Sequence, residues 1–391
     1  MNYLMFIDRI AQHHPMTAKV QFLVSGSDRK VRNTVLQDVL EKCRGGNEKL
    51  VIVDDTGRRD VTVYNTIRSF GYQIKNGMAG NFCLYDPFKI TTVNGISKMR
   101  QLFSTLGYDE RQKGKLIAYL NFIRHMEYLE NGSHEVELSL EKLGEYSTVM
   151  AVEEKLQYLA GAGIIDDRQQ LVLLSKYSEC SSAAADLEDM FFVLLPFISG
   201  ERVRFDSDPT QAVLFPTGEL GEDETIRSLV MQLLRFGMEE SRGNKITLLV
   251  FDKGYGNRKC VFDLLKSLPY QVNVNVFSED IFTLCDSEAL AMILNRFTAR
   301  IYSRHLAMSS AEAIEKVCGE IDVVKNSYNV TYDRRWRANS PWDMLWGNNK
   351  TEAYTQTAPV REPRYRKEMI MGFPPGSGIV EYLGNTSVFS V

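Results

Sequence analysis

The stretch from Val20 to Cys43 constrains this chain more than any other. An apolar run, Val20-Gln21-Phe22-Leu23-Val24, leads into Ser25-Gly26-Ser27-Asp28-Arg29-Lys30-Val31-Arg32-Asn33, after which apolar residues recur at Val35, Leu36, Val39, Leu40 and Cys43. The first pattern is that of a buried strand and the second that of one helix face. Gly26–Asn33 therefore sits at a strand-to-helix turn, where a phosphate-binding loop belongs. Such a loop, G-x-x-x-x-G-K-[ST], uses a second glycine for close backbone approach, a lysine for the phosphates and a hydroxyl for magnesium. The register from Gly26 supplies Val31, Arg32 and Asn33 instead. Valine at a positive φ costs roughly 1–3 kcal/mol, and Asp28 adds a negative charge facing a negative ligand. Arg32 keeps a guanidinium able to hold a phosphate in bidentate fashion, and a helix N-terminus attracts anions. Two readings stay open here: a weak nucleotide site and an ordinary βα turn.

Residues 18–95 continue the alternation. Lys49-Leu50-Val51-Ile52-Val53-Asp54 reads as a strand, 60–70 as a helix stopped by Gly71, and Phe82-Cys83-Leu84-Tyr85 as a strand running into Asp86-Pro87-Phe88. This order predicts a parallel sheet flanked by helices, with Asp54 at the C-terminal edge where such sheets bind ligands. From about 96 to 195 the pattern turns helical, Leu116, Leu120, Ile123, Met126 and Leu129 falling on one face. Within this insertion, Leu138–Gly144, the helix Ala151–Leu159 and two short strands expected around a polar turn in Ile164–Leu174 resemble a winged-helix module. Its would-be recognition helix carries Glu153 and Glu154 against Lys155, a poor match to a phosphate backbone.

The α/β pattern resumes with Ala212–Pro216, a helix over about 223–238, and Lys245-Ile246-Thr247-Leu248-Leu249-Val250-Phe251-Asp252-Lys253. An apolar strand ending in aspartate has the form of a Walker B strand, whose carboxylate helps hold magnesium and whose next residue would be a glutamate that polarises water. Here that residue is Lys253. A helix near 257–267, the strand Val272–Phe277, a helix opened by Ser278-Glu279-Asp280, the strand Ala299–Tyr302 and a helix ended by Gly319 follow. Residues 334–367 read as loosely structured and carry eight Lys/Arg against three Asp/Glu, interleaved with Trp336, Trp342, Trp346 and Tyr365. Arg334, Arg335, Trp336, Arg337, Arg364, Arg366 and Lys367 are the nucleic-acid candidates, a solvated connection being the alternative. Gly378–Leu383, a Gly384-Asn385 turn and Ser387–Phe389 close the chain as a hairpin.

A net charge of −4 gives no overall basic field for nucleic acid or membrane. Six scattered cysteines without C-x-x-C spacing indicate neither a zinc site nor a disulfide framework. A reducing cytoplasm is the simplest setting. The Met1–Pro15 stretch lacks the apolar run of a signal peptide, and no window reaches the roughly 18 apolar residues of a membrane span.

Taken in order, these stretches resemble the type IV coupling ATPases of conjugation and type IV secretion, the TraG/TraD group. The resemblance rests on the 26–33 loop, on Val51-Ile52-Val53-Asp54-Asp55-Thr56-Gly57 (similar to the family's D-x-K-G segment), on Phe70-Gly71-Tyr72 followed by Tyr85-Asp86-Pro87-Phe88, on a helical domain before the Walker B-like strand, and on Arg361 through Phe373-Pro374-Pro375-Gly376 to Gly384. It implies a RecA-like P-loop NTPase-type α/β fold with a mostly parallel sheet. Residues 1–95 and 196–391 would form its two parts, the second with a C-terminal extension. Residues 96–195 would be the inserted all-helical, winged-helix-like domain. The implied nucleotide site consists of Gly26, Arg32, Asn33 and Asp252.

The departures fall on the family's chemistry: Arg32 for lysine, Asn33 for the hydroxyl, Lys253 for the glutamate, Phe277 where a glutamine usually stands, and no arginine in Ser267–Tyr270. A degenerate member is therefore expected, with no catalytic residue, no metal and no required cofactor, ATP with magnesium being what the intact fold would take. Expected partners are proteins of a conjugation or secretion apparatus, including a hetero-oligomeric ATPase, and single-stranded DNA. The expected location is cytoplasmic, reaching the inner membrane only through a partner. An active ATPase or DNA translocase with a non-standard site, and a winged-helix DNA-binding regulator, are the alternatives.

Overall fold

The computed structural model describes residues 2–12, 20–57, 60–80, 82–90, 93–132, 136–205, 208–221, 223–241, 245–252, 258–269, 271–332 and 351–391. In chain order the first elements are α1 (Tyr3–Ala11), β1 (Phe22–Ser25), α2 (Arg29–Gly45), β2 (Lys49–Asp54), α3 (Val61–Ser69) and β3 (Gln73–Asn76). The short strands β4 (Phe82–Cys83) and β5 (Lys89–Ile90) follow, then α4 (Val93–Thr105), α5 (Glu110–Asn131), β6 (Val136–Glu137), α6 (Leu140–Gly144), α7 (Val149–Gly161), α8 (Asp167–Cys180), α9 (Ala183–Ile198) and β7 (Glu201–Arg202). The α/β order returns with β8 (Gln211–Phe215), α10 (Glu224–Glu240), β9 (Ile246–Asp252), α11 (Arg258–Ser267), β10 (Val272–Ser278), α12 (Leu290–Leu294), β11 (Ala299–Tyr302) and α13 (Met308–Cys318). Last come β12 (Glu320–Tyr332), β13 (Thr351–Pro363), α14 (Lys367–Met371), β14 (Ser377–Tyr382) and β15 (Asn385–Ser390).

One nine-stranded sheet organises the molecule in the order β15-β14-β11-β1-β10-β9-β2-β8-β3. From β11 to β3 every pairing is parallel, and the β14–β15 hairpin adds antiparallel to β11. The central strands are buried along their whole length, which is why they read as continuous apolar runs. Alternation still sorts their side chains. Phe22, Val24, Leu50, Ile52, Leu249 and Phe251 face α1, α2 and α3, whereas Leu23, Val51, Val53, Leu248 and Val250 share a core with α4 to α13. The strand-end residues of β1, β10, β9 and β2 lie side by side, with Ser25 opposite Ser278, Ser278 opposite Asp252 and Asp54 opposite Phe251. The mostly parallel sheet expected from the sequence is thus the one observed, with Val51–Asp54 and Leu248–Asp252 near its centre.

Four local expectations are corrected. Residues 167–180 form helix α8, not a wing hairpin. Asp166 caps it through a reciprocal capping box with Gln169, and Leu173, Tyr177 and Cys180 bury one face at helical spacing. Phe82-Cys83 pairs only with Glu201-Arg202 and lies outside the main sheet. Ser278 ends β10, and Asp280 caps a three-residue 3-10 turn, Ile281–Thr283, rather than a helix. Within the stretch expected to be loose, Thr351–Pro363 forms β13, which pairs antiparallel with β12 over thirteen residues. Lys253 and residues 333–350 lie outside the described residues.

Candidate functional site

The β1–α2 turn is bound on both sides before any ligand is considered. Gly26 takes φ +126°, and a Cβ there would collide with Ser303 Oγ. Its N–H donates to the Ser278 carbonyl at 3.0 Å, and the Ser27 N–H donates to the Arg304 carbonyl at 2.9 Å. Beneath it His305 is buried, with Nε2 2.9 Å from Ser25 Oγ and Nδ1 2.8 Å from the Ser303 carbonyl. Burial lowers its pKa from the ordinary imidazole value.

Helix α2 begins at Arg29, and its first N–H groups have no intrahelical acceptor. Asp28 supplies one. Its Oδ1 accepts from the Lys30 N–H at 2.8 Å and the Val31 N–H at 3.3 Å, while its Oδ2 accepts from the Gly376 N–H at 2.5 Å. A carboxylate of the chain thus occupies two of the donors that a bound phosphate would use. Lys30 points toward the end of the C-terminal hairpin, its Nζ donating to the Val391 carbonyl at 2.5 Å.

Arg32 pairs with Asp60, Nη2 to Oδ2 at 2.7 Å, and Asp60 also caps α3. Partial burial opposes the charge of Asp60, but Arg32 and the Val63 and Thr62 N–H groups outweigh it and hold its pKa below the usual carboxylate value. Asn33 turns elsewhere: its Oδ1 is enclosed without a hydrogen-bond partner and it does not line the small cavity at the turn. Gly26, Arg32 and Asp252 do line it, together with Asp54, Asp60 and Tyr64. That cavity measures about 20 Å³, room for roughly one water.

The strand-end carboxylates are held just as closely. Asp54 accepts from Tyr64 Oη and from Thr56, through Oγ1 at 2.5 Å and N–H at 3.0 Å. Asp55 accepts from the Arg227 guanidinium and from Thr217 Oγ1 at 3.0 Å. Burial pushes the Asp55 pKa up against the downward pull of Arg227. Asp252 is buried with Ser278 Oγ 3.4 Å away, and the rings of the preceding residues on the two strands, Phe251 and Phe277, stack on each other. Among the described residues no group of three or more His, Cys, Asp or Glu side chains is placed to share a metal ion.

Sequence reasoning found the turn and Asp252 but missed Asp60, Tyr64, Arg227 and the closing role of Gly376. Asp60 was recoverable, since an aspartate before Val61-Thr62-Val63 is a helix-capping signal. Gly376 was not, because its contact spans 348 residues. The nucleic-acid candidates divide. Arg364 donates to Thr386 Oγ1 at 2.7 Å, Arg366 pairs with Glu362 at 2.9 Å and Lys367 with Glu312 at 2.7 Å. Arg334, Arg335, Trp336 and Arg337 lie outside the described residues.

A mostly parallel sheet with a strand–turn–helix junction at its C-terminal edge and a helical segment between two α/β halves defines a RecA-like, P-loop-type fold. That is the fold of the bacterial conjugative coupling protein TrwBdeltaN70 in its unbound monoclinic form, which matches with a TM-score of 0.51 at 12% identity, covering 100% of this chain and 92% of that one. TrwB in complex with ADP and Mg2+ (TM-score 0.49, 12% identity, 95% of this chain and 84% of that one) and VirB4 of Thermoanaerobacter pseudethanolicus (0.49, 14%, 95% and 88%) also align. No protein-family model matches the chain. No curated protein matches it by sequence. Among the described residues no helix is long and apolar enough to cross a membrane.

Proposed function

We propose that this chain is a catalytically degenerate, coupling-protein-like component of a conjugative transfer or type IV secretion system, acting as scaffold or adaptor for a partner ATPase or a transfer substrate. The fold shared with TrwBdeltaN70 supports the setting. The observation that carries the degeneracy is Asp28, whose carboxylate caps α2 and meets the Gly376 N–H where a phosphate would bind. Arg32 is committed to Asp60, Lys30 is drawn to Val391, and the cavity bounded by Gly26, Arg32 and Asp252 holds about one water. Residues so arranged do not fit a nucleotide with magnesium. In this reading residues 1–95 and 196–391 supply the RecA-like body and 96–195 a face for partners. The chain works in the cytoplasm, and single-stranded DNA, where it is contacted, meets the 334–337 segment between β12 and β13.

The test is magnesium-dependent ATP turnover and binding by the purified chain, with Arg32→Ala and Asp252→Asn alongside and DNA added. The expected result is turnover at background and unchanged by either substitution. Robust turnover abolished by either one would restore the motor reading. Restoring Gly at 31, Lys at 32, Thr at 33 and Glu at 253 checks the converse, since recovered nucleotide binding would show that the turn kept its shape and lost only its chemistry.

A further inference from the structure

Away from the turn, a second cavity of about 380 Å³ opens between α4, α10 and α11, within the size range of small-ligand sites. Its cationic groups are Arg235 on α10 and Lys266 on α11. Arg235 is 8% exposed. Its guanidinium gives one hydrogen bond to the neutral Gln101 amide, lies against the Phe236 ring, and has its nearest carboxylate, Glu239, at 3.6 Å from a nitrogen, Nε, that makes no hydrogen bond. Burial correspondingly lowers its pKa. A guanidinium out of water and incompletely compensated favours an incoming anion.

Hydrogen-bonding groups surround this charge. Ser104, Ser228 and Ser267 line the same cavity, as does Gln232, whose Oε1 is enclosed without a donor. The three serine hydroxyls are paired within the chain to the Arg100 carbonyl, the Cys260 sulfur and the Asp263 carbonyl. Asp263 is the acidic group on the wall. We propose that this cavity binds a small organic anion that also carries hydroxyl or amine donors, its anionic group against Arg235 and Lys266 and a donor toward Gln232. An anion alone would leave Gln232 Oε1 unmatched, and a neutral polyol would add no charge to Arg235 beyond Glu239. The cavity joins α4 to α10 and α11 on one face of the sheet, so an occupant would tie α4 of the helical segment to the α/β body.

Isothermal titration with glycerol 3-phosphate, inorganic phosphate and glycerol separates these requirements. Glycerol 3-phosphate is expected to bind at least about five-fold tighter than phosphate, and glycerol not to bind. Arg235→Gln should abolish binding and Lys266→Glu weaken it at least ten-fold. Lys266 is exposed, so that variant folds if Arg235→Gln does not, and Ser104→Phe on the exposed side of α4 should block entry. Arg32→Ala should leave binding unchanged, which distinguishes this cavity from the β1–α2 turn. No binding of either anion at 10 mM, or binding that survives Lys266→Glu and Ser104→Phe, overturns the proposal.

Discussion

The head of α2 and the cavity between α4, α10 and α11 treat polar groups in opposite ways. At the head of α2 the helix N–H groups meet Asp28, Asp28 meets Gly376, Lys30 meets Val391 and Arg32 meets Asp60. In the cavity Arg235 donates to a neutral amide and has the Glu239 carboxylate 3.6 Å away without a hydrogen bond, and Gln232 Oε1 has no donor. Binding replaces water with better-matched partners, so a site whose donors are already matched within the chain gains little from a ligand. The fold places its ligand edge at the first region, where Arg32 Nε and Asn33 Oδ1 are left over but each of these charges has a hydrogen-bonded partner, while the guanidinium without a hydrogen-bonded carboxylate lies in the second.

The severest way to break the matched edge is to remove Arg227. Asp55 and Arg227 are 2% and 5% exposed, and removing one partner of a buried pair leaves an uncompensated charge. Arg227→Met is expected to lower stability by about 3–5 kcal/mol at pH 7. Because burial raises the Asp55 pKa, the deficit should shrink as pH falls and the lone carboxyl takes up a proton. Urea unfolding at pH 7 and pH 5 reads both effects. A loss under about 1 kcal/mol would mean that the edge is not electrostatically closed. Arg227→Met combined with Asp55→Asn should recover most of the loss.

Next in size is Asp28→Ala, which removes a helix cap worth about 1 kcal/mol. The substitution uncovers the Lys30 and Val31 N–H groups, so added inorganic phosphate should protect the variant against urea more than it protects the original chain. Equal protection would show that the carboxylate merely caps the helix and does not stand in for an anion. Asp166→Ala should cost a similar amount, about 1 kcal/mol, by breaking the capping box of α8. It checks that Ile164–Leu174 enters a helix, and a null effect there would reopen the hairpin reading.

Where the sequence was legible, one physical pattern repeated over many residues. The runs at β1, β2, β9 and β10 are buried on both faces, so apolarity alone located them, and the α2 face at Val35, Leu36, Val39 and Leu40 was visible from its spacing. It was not legible where a single long-range contact decides the outcome. Phe82-Cys83 has a strand's composition but pairs with Glu201-Arg202. Edge strand β3, Gln73–Asn76, is half exposed and has no apolar run to mark it. In Ile164–Leu174 the apolar residues on both sides of a polar turn resemble a hairpin. Only the capping box at Asp166 and Gln169, which lies inside that turn, identifies a helix start. At the turn the motif register exposed the replaced residues, but that Asp28 fills the anion position depends on Gly376, beyond any local pattern.

The smallest predicted effect tests whether α2 is matched along its length or only at its head. Asp38, midway along α2, is partly buried, and its Oδ2 has no hydrogen-bond partner. Burial pushes its pKa up to about 6, against the pull of Lys42 and with that of Glu41. A folded-state pKa above the unfolded value means that the charged form costs stability. The cost is complete at pH well above 6 and falls away as pH drops through 6 toward the unfolded value of 3.8. A shift of this size corresponds to about 3 kcal/mol before screening, and for a group half open to solvent about 1 kcal/mol is the reasonable expectation. Asp38→Asn should therefore stabilise the chain by about 1 kcal/mol at pH 7.5, by less at pH 6 and by almost nothing near pH 4. Thermal or urea midpoints across that range measure it. A gain independent of pH would trace the effect to helix propensity rather than charge, and a loss at pH 7.5 would show that Asp38 has found a partner and that α2 is matched along its length.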